Sequence, residues 1–419
     1  MKIVYLKKEK NTIKEEEIDT LELLAREGAR QLLAEALEKE VEEFLGRGKY
    51  ERVEEFRGYR NGYGKTRDVA IGYGHVEVKV PRVSNVPKDV SEEGYNSKVL
   101  SKYQRSSKGV QRNLVNLYLE GLSSGDFEPV FRDILGETAG LSSSTIIKLK
   151  EDWQREYDEW KQRALWSEYY AYIWTDGVYI KAGLEREKTA LLCVIGVKED
   201  GTKELLSIGE GYRESTASWL DVLRDLKKRG MKSPRLAIGD GALGFWSALR
   251  DIYPECKEQR CWNHKIMNVI DKLPKHMEEK AKRRLRELYR ADTRKQCQDW
   301  CRTYAQELRV ANYNDAADTL LRELEQLTTF YDFPKIHWVH IKTTNPIESV
   351  FSGVKTRTNV VKRFRKRVNG KYMVFKLIQR LSINWLPIKG KDLLPLLKQG
   401  AKFVDGIIVQ NMPDLAKAA

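Results

Sequence analysis

The chain has 419 residues, 41% of them hydrophobic and 10% aromatic, which supplies cores for roughly two to four domains and excludes wholesale disorder. Its five cysteines are an odd number with no Cys-x-x-Cys pair, which argues against a disulfide scaffold or a four-cysteine zinc module and fits a reducing, cytoplasmic compartment. The formal net charge of +14 suggests nucleic acid or another polyanion as partner.

The N-terminal stretch lacks the apolar core of a signal peptide. The longest apolar run, Ala190 to Val197, is of strand length and far below the roughly 20 residues of a membrane span. No membrane partner is expected.

Residues from about Lys14 to Leu45 read as one helix. Leu21, Leu24, Leu32, Ala36, Val41 and Phe44 lie near helical spacing and Gly46 ends it; packing or self-association is its expected role. From Arg47 to Arg82 the texture becomes β-like. Val76, Val78 and Val80 alternate with polar residues until Pro81 stops the strand. Arg57, Arg60, Lys65 and Arg67 interleave with Tyr59, Tyr63 and Tyr73, the composition of a nucleic-acid grip or of an ordinary hairpin with a wet face.

Gly109 to Gly121 reads as a helix. GLSSGD breaks the pattern, a short helix runs from about Phe127 to Leu135, and a longer one containing Lys148 starts at a Ser143 or Ser144 cap. That is a helix-turn-helix outline. Beyond Tyr169 come five strand candidates: Tyr170–Thr175, Val178–Ala182, Ala190–Val197, Glu204–Gly209 and Arg235–Ile238. A hairpin at Lys198 to Gly201 joins two of them. A helix from about Ser215 to Arg229 ends at Gly230. Antiparallel strands, then a helix, then another strand suit a mixed sheet of the ribonuclease H type.

After His264 the pattern is helical. Cys297, Trp300, Cys301, Tyr304 and Leu308 form one stripe, and Leu320, Leu321, Leu324 and Leu327 another; core packing is expected for both. From Val350 to Lys391 there are 12 Lys or Arg and no acid, including Lys355, Arg357, Arg363 and Arg365, and without them the chain is nearly neutral. Val360, Phe364, Val368, Tyr372 and Phe375 thread this tract, so folded structure beside a polyanion is expected.

Three acids stand out. Asp176 follows a strand in YIWTDGVYIKAG, Asp240 ends another in RLAIGDGALGFW, and Glu348 lies in TTNPIESVFSG. Asp-Gly is also a turn dipeptide. Asn345-Pro346-Ile347-Glu348 also reads as a capping box, with Asn345 as N-cap and Glu348 at the third helical position. The functional alternative is convergence on divalent cations. Mg²⁺ takes hard oxygen ligands, and two such ions activate the attacking oxygen and stabilise the leaving one in phosphodiester chemistry. Cys261-Trp-Asn-His264 resembles half a zinc site, but His337 and His340 make no convincing second pair and a local structural role fits better. No nucleotide-binding GxxxxGK[ST] loop and no GxSxG elbow occur.

Five segments together resemble the mutator-type transposases of bacterial and archaeal insertion sequences. They are FRGYRNGYGKTRDVAIGYGHVEVKVPRV (Phe56–Val83), YIWTDGVYIKAG (Tyr172–Gly183), AIGDGALGFWSAL (Ala237–Leu249), RCWNHKIMNVIDKLPK (Arg260–Lys275) and IKTTNPIESVFSGVKTRT (Ile341–Thr358). The resemblance implies an α/β, ribonuclease H-like catalytic domain with Asp176, Asp240 and Glu348 as its metal-binding triad. Two Mg²⁺ are implied, with Mn²⁺ as substitute. It makes Cys261 and His264 a family signature of unassigned role.

The implied organisation is an N-terminal helix (1–46), a basic β-rich region (47–95), a helix-turn-helix region (96–165), the first catalytic part (166–264), an all-helical insertion (265–341) and the last catalytic part with a basic C-terminal region (342–419). The implied partners are the double-stranded DNA of terminal inverted repeats and target, bound by at least a homodimer, with nucleoid association when on DNA. Arg57, Arg60, Lys65, Arg67, Lys148, Lys355, Arg357, Arg363 and Arg365 are the candidate DNA contacts. The reaction implied is hydrolysis at an element end followed by attack of the freed 3′-hydroxyl on a second phosphodiester. A ribonuclease H-like nuclease or resolvase without strand transfer, and a non-catalytic DNA-binding regulator, are the rival readings.

Overall fold

The computed structural model describes residues 20–410 apart from 73, 121–142, 183–188, 212, 242, 362–363 and 365. The chain parts into two compact units, residues 1–146 and 147–419.

In the first unit, helix α1 spans Thr20–Leu45 and stops at Gly46, whose φ of 66° is the left-handed conformation that glycine adopts without strain. Residues 14–19 of the expected helix lie outside the described residues. The buried stripe is Leu37, Val41 and Leu45, with Ala29 and Leu33 packed against the same core, whereas Leu21, Leu24 and Leu32 are exposed. Strands β1 (Tyr59–Tyr63) and β4 (Pro81–Ser84) pair antiparallel, as do β2 (Arg67–Ile71) and β3 (Gly74–Val78). Pro81 thus opens a strand instead of only closing one. Val69, Val76, Val78, Val80, Leu37 and Leu100 form the small core. Helix α2 spans Lys108–Glu120. The expected turn and short helix of the helix-turn-helix outline, 121–142, lie outside the described residues.

Helix α3 (Ser143–Gln162) leads into a five-stranded mixed sheet. Its strands are β5 (Tyr172–Ile180), β6 (Thr189–Val197), β7 (Lys203–Gly211), β8 (Leu236–Gly239) and β9 (Lys257–Arg260), in the order β7-β6-β5-β8-β9. The first three pair antiparallel; β5, β8 and β9 run parallel. All nine residues of β6 are buried, as its unbroken apolar composition requires of a central strand. The β6–β7 hairpin turns at Gly201, where φ is 84°, and Lys198 N–H donates to Thr202 C=O. One segment departs from expectation: Tyr170–Thr175 and Val178–Ala182 are one strand, because β6 pairs with β5 without a break from Tyr172 to Ile180.

Helices α4 (Thr216–Lys228), capped by Ser215 and closed at Gly230, and α5 (Leu243–Ile252) follow β7 and β8. Trp219, Leu223, Phe245 and Leu249 pack with Ile173, Leu192 and Ala237 of the sheet. Helices α6 (Trp262–Ile270), α7 (Glu278–Leu288), α8 (Arg294–Val310) and α9 (Asn314–Leu321) come next. Cys297 and Cys301 are fully buried on α8, while Trp300 faces out. The second leucine stripe is not one helix, since Glu323 takes a left-handed φ of 60° and separates α9 from the turn at Leu324–Leu327. Helix α10 (Asn345–Val361) packs on β5 and is followed by α11 (Arg367–Ser382). A final hairpin joins Lys402–Val404 and Ile407–Gln410. No helix among the described residues is long and apolar enough to cross a membrane.

Candidate active site

The site lies at the carboxyl end of the parallel strands, where α/β sheets commonly bind ligands. The β5–β8 register pairs Trp174 with Ile238. Asp176 lies two residues beyond this pair on β5 and Asp240 two residues beyond it where the chain leaves β8, and their charges act on one another. Asp240 therefore ends its strand as expected, but Asp176 does not: it sits in the middle of β5, paired across to Cys193 of β6. Its Oδ1 accepts the Gly177 N–H at 2.8 Å. Trp246 Nε1 donates to the Asp240 carbonyl at 3.1 Å, holding the start of α5 against the end of β8.

Glu348 arrives on α10. The cap lies one residue earlier than the capping-box reading: Thr344 C=O accepts from both Ile347 and Glu348 N–H at 2.9 Å, so Glu348 is the fourth helical residue. Its carboxylate accepts from the Thr344 hydroxyl. It also lies 3.6 Å from His264 Nδ1 and 4.0 Å from Cys261 Sγ. Cys261, His264 and Glu348 offer three potential ligand atoms within 4.8 Å of one another.

Sequence reasoning missed Glu214, which no motif or periodicity marks. Its carboxylate accepts from the Tyr179 hydroxyl at 2.9 Å and lies over Gly177, where a Cβ would come within 2.4 Å of Glu214 Oε1. A side chain at 177 would have to displace the Glu214 carboxylate from this position. Arg260, also missed as a site residue, is buried at the end of β9 beside Asp240 and pairs with Glu323.

These groups share one electrostatic field. Burial, against the Gly177 hydrogen bond and the His264 charge, pushes the Asp176 carboxyl up to about 7, with Glu214 and Asp240 adding repulsion. Burial and Asp240 likewise raise Glu214, opposed by Tyr179. Burial pulls His264 down, but Cys261, Asp240 and Glu348 together carry it up to about 9, so at neutral pH the imidazole is a cation among acids. Cys261, His264 and Glu348 are thus in contact, while Asp176, Asp240 and Glu214 act electrostatically on one another and on His264. The carboxylates supply hard oxygen donors suited to Mg²⁺ or Mn²⁺, whereas the Cys261 thiol suits softer metals.

The basic candidates are scattered. Arg60 pairs with Glu38 and Glu42 of α1, Arg57 with Glu55, and Arg67 donates to the Ser101 carbonyl. Lys65 and Lys355 are exposed, and Arg357 is buried. Lys148 lies on α3; Arg363 and Arg365 lie outside the described residues. In the basic tract Lys371 and Lys376 pair with Glu210 and Glu156. His337 and His340 are held elsewhere: His337 binds the Tyr172 hydroxyl and Gly390 carbonyl, and His340 accepts from Lys389 N–H.

Comparison with known proteins bears on nearly the whole chain. The family profile described as "Transposase, Mutator family" matches residues 3–387. The chain is 44% identical over 299 residues to the transposase for insertion sequence element IS6120 of Mycolicibacterium smegmatis, covering 71% of this chain and 92% of that protein. It is 40% identical over 284 residues to the transposase for IST2 of Acidithiobacillus ferrooxidans, covering 67% and 96%. It is 30% identical over 369 residues to the transposase for ISRM5 of Rhizobium meliloti, covering 86% and 88%. The chain belongs to the Mutator family of transposases.

Proposed function

We propose that the chain cleaves DNA at the ends of an insertion sequence and joins the freed 3′ end to a second DNA, with Asp176, Asp240 and Glu348 as its acidic triad. One observation supports the reading: beside the carboxyl end of a mixed sheet, burial and the charges of Glu214 and Asp240 push Asp176 up to about 7, and Asp240 and Glu348 both act on His264. Carboxylates crowded in this way gain when a cation enters between them. Carboxylate oxygens are the donor type that Mg²⁺, or Mn²⁺ in substitution, takes, and two such ions are proposed here. When bound, the metal supplies activation of the attacking oxygen and charge stabilisation of the leaving one.

The protein's own part is to present the acids. Continuous pairing of β5 with β6 fixes Asp176, the Trp246 hydrogen bond fixes the backbone of Asp240, and α10 carries Glu348. Arg260 places a positive charge beside Asp240. We read this region as a ribonuclease H-like domain with the helices between Trp262 and Ile341 as its insertion; the antiparallel β7-β6-β5 and parallel β5-β8-β9 pairing supports it. No serine or tyrosine nucleophile is required.

The first unit and the following helix are the proposed readers of terminal inverted repeats, through Arg57, Lys65, Arg67 and Lys148. Lys355, exposed two turns after Glu348, together with Arg363 and Arg365, is proposed to hold the DNA backbone. Buried Arg357 is better suited to packing. Bringing two element ends together requires at least two copies on DNA. The test supplies purified protein, Mg²⁺, element-end DNA and a second duplex. Joined products support the reading. Cleavage without joining favours a nuclease, and binding without chemistry favours a regulator.

A further inference from the structure

Cys261 and His264 take no part in the proposed chemistry, yet both face the residue that starts the Glu348 helix. Thr344 is fully buried and spends every polar group there. Its backbone N–H donates to Cys261 Sγ at 3.2 Å. Its carbonyl accepts from Ile347 and Glu348 N–H. Its hydroxyl lies 3.1 Å from Cys261 Sγ and 3.4 Å from His264 Nδ1, and donates to Glu348 Oε1.

A hydroxyl has one proton and two lone pairs. With the proton shared between the Glu348 carboxylate and the Cys261 sulfur, a lone pair is left for the His264 Nδ1–H, which then acts as donor. A threonine at a helix N-cap ordinarily accepts from a backbone N–H of the first turn. Here its oxygen is the hub of three side chains instead.

The same cysteine is tied to the other acid. Cys261 N–H donates to the Gly239 carbonyl at 2.8 Å, immediately before Asp240, and Trp262 N–H donates to the Lys342 carbonyl at 3.0 Å. Asn263 Nδ2 donates to Asn345 Oδ1 at 2.6 Å. The start of α6 therefore bridges the end of β8, which carries Asp240, and the start of α10, which carries Glu348. Glutamate is among the side chains that lose most rotamer freedom when ordered, so fixing it in advance favours any ligand that needs it ordered.

We propose that Thr344, seated on Cys261 and His264, is a positioning residue that fixes the Glu348 carboxylate relative to Asp240. Its catalytic consequence rests on the proposed function; the pinning of Glu348 does not. Thr344→Val keeps the shape and removes the hydroxyl, while Thr344→Ser keeps it. In full-length protein, Thr344→Val is expected to raise the Mg²⁺ concentration for half-maximal end cleavage by about tenfold, as loss of a group orienting a metal ligand does. DNA affinity and thermal unfolding in EDTA stay near wild type, and Thr344→Ser restores the Mg²⁺ dependence.

Unchanged Mg²⁺ dependence in Thr344→Val, or a loss that Ser does not restore and that follows the melting temperature, overturns the proposal. Crystal structures of wild type and Thr344→Val without DNA read the pinning even if no cleavage is found. Glu348 keeping its orientation in the valine variant overturns it, and a freed Glu348 supports it. A thiolate charge-transfer band on adding Co²⁺ to wild type, absent in Cys261→Ser, would make the cluster a metal site and overturn it as well.

Discussion

Replacing Asp176 by Asn is expected to make the metal-free protein more stable. The rise of its carboxyl from the ordinary 3.8 to about 7 corresponds to a ceiling of about 4 kcal/mol at pH 8, at 1.36 kcal/mol per tenfold change. Asp176 is only half-buried, so solvent relieves part of this and about 1–3 kcal/mol is the expected gain. The folded-state pKa lies above the unfolded one. The carboxyl therefore costs nothing below about pH 4, and its cost grows as pH rises to and through about 7. Asn keeps an oxygen to accept the Gly177 N–H, so the change removes charge with little change of shape. The assay is urea unfolding in EDTA at pH 5 and pH 8, followed by Mg²⁺ titration. Wild type should fall behind the variant as pH rises and should alone recover stability with Mg²⁺, because a ligand that binds only the folded state stabilises it by mass action. A variant no more stable than wild type at pH 8, or equally stabilised by Mg²⁺, would refute the reasoning.

Two further perturbations probe the frame around the site. Gly209→Ala on β7 places a Cβ 2.3 Å from Val222 Cγ2 of α4; Val222 is a buried core side chain, so overpacking should cost about 1–3 kcal/mol in urea unfolding, and a neutral result would show that α4 yields. Burial, with Lys203, His337 and Lys389 adding repulsion, lowers His340 to about 4. Its contribution to stability is present above the unfolded value of 6.5 and is lost as pH falls from there toward 4. The trend is opposite to that of Asp176, so it is read as the difference between wild type and His340→Gln at pH 7 and pH 5. About 1–2 kcal/mol of difference should disappear at the lower pH, after discounting for partial exposure; a difference that holds constant would contradict it.

Local chemistry made much of this frame legible. The alternation in β3, the unbroken apolar run of β6, the Gly201 turn and the Ser215 to Gly230 helix are each determined by residues within a few positions, and periodicity reports them. Asp176-Gly177 misled because the dipeptide suits a turn, while here pairing with β6 holds it in a strand and the glycine admits the Glu214 carboxylate. Glu214 itself was invisible: one acid among 61, its place is set by where β7 ends and α4 begins. The helix starts one residue before the Asn345 pattern suggests, because Thr344 caps with its backbone while its hydroxyl serves Glu348. The Cys-x-x-His spacing was plain, but its partner lies 80 residues on at Thr344, beyond the reach of any local pattern.

The most direct test of the central claim is strand transfer by purified protein on DNA carrying its own element ends, with Mg²⁺ and with EDTA, for wild type and Asp240→Asn. The account predicts joined products from wild type in Mg²⁺ alone, and none from the variant or in EDTA. Joining that persists in Asp240→Asn or in EDTA would contradict it.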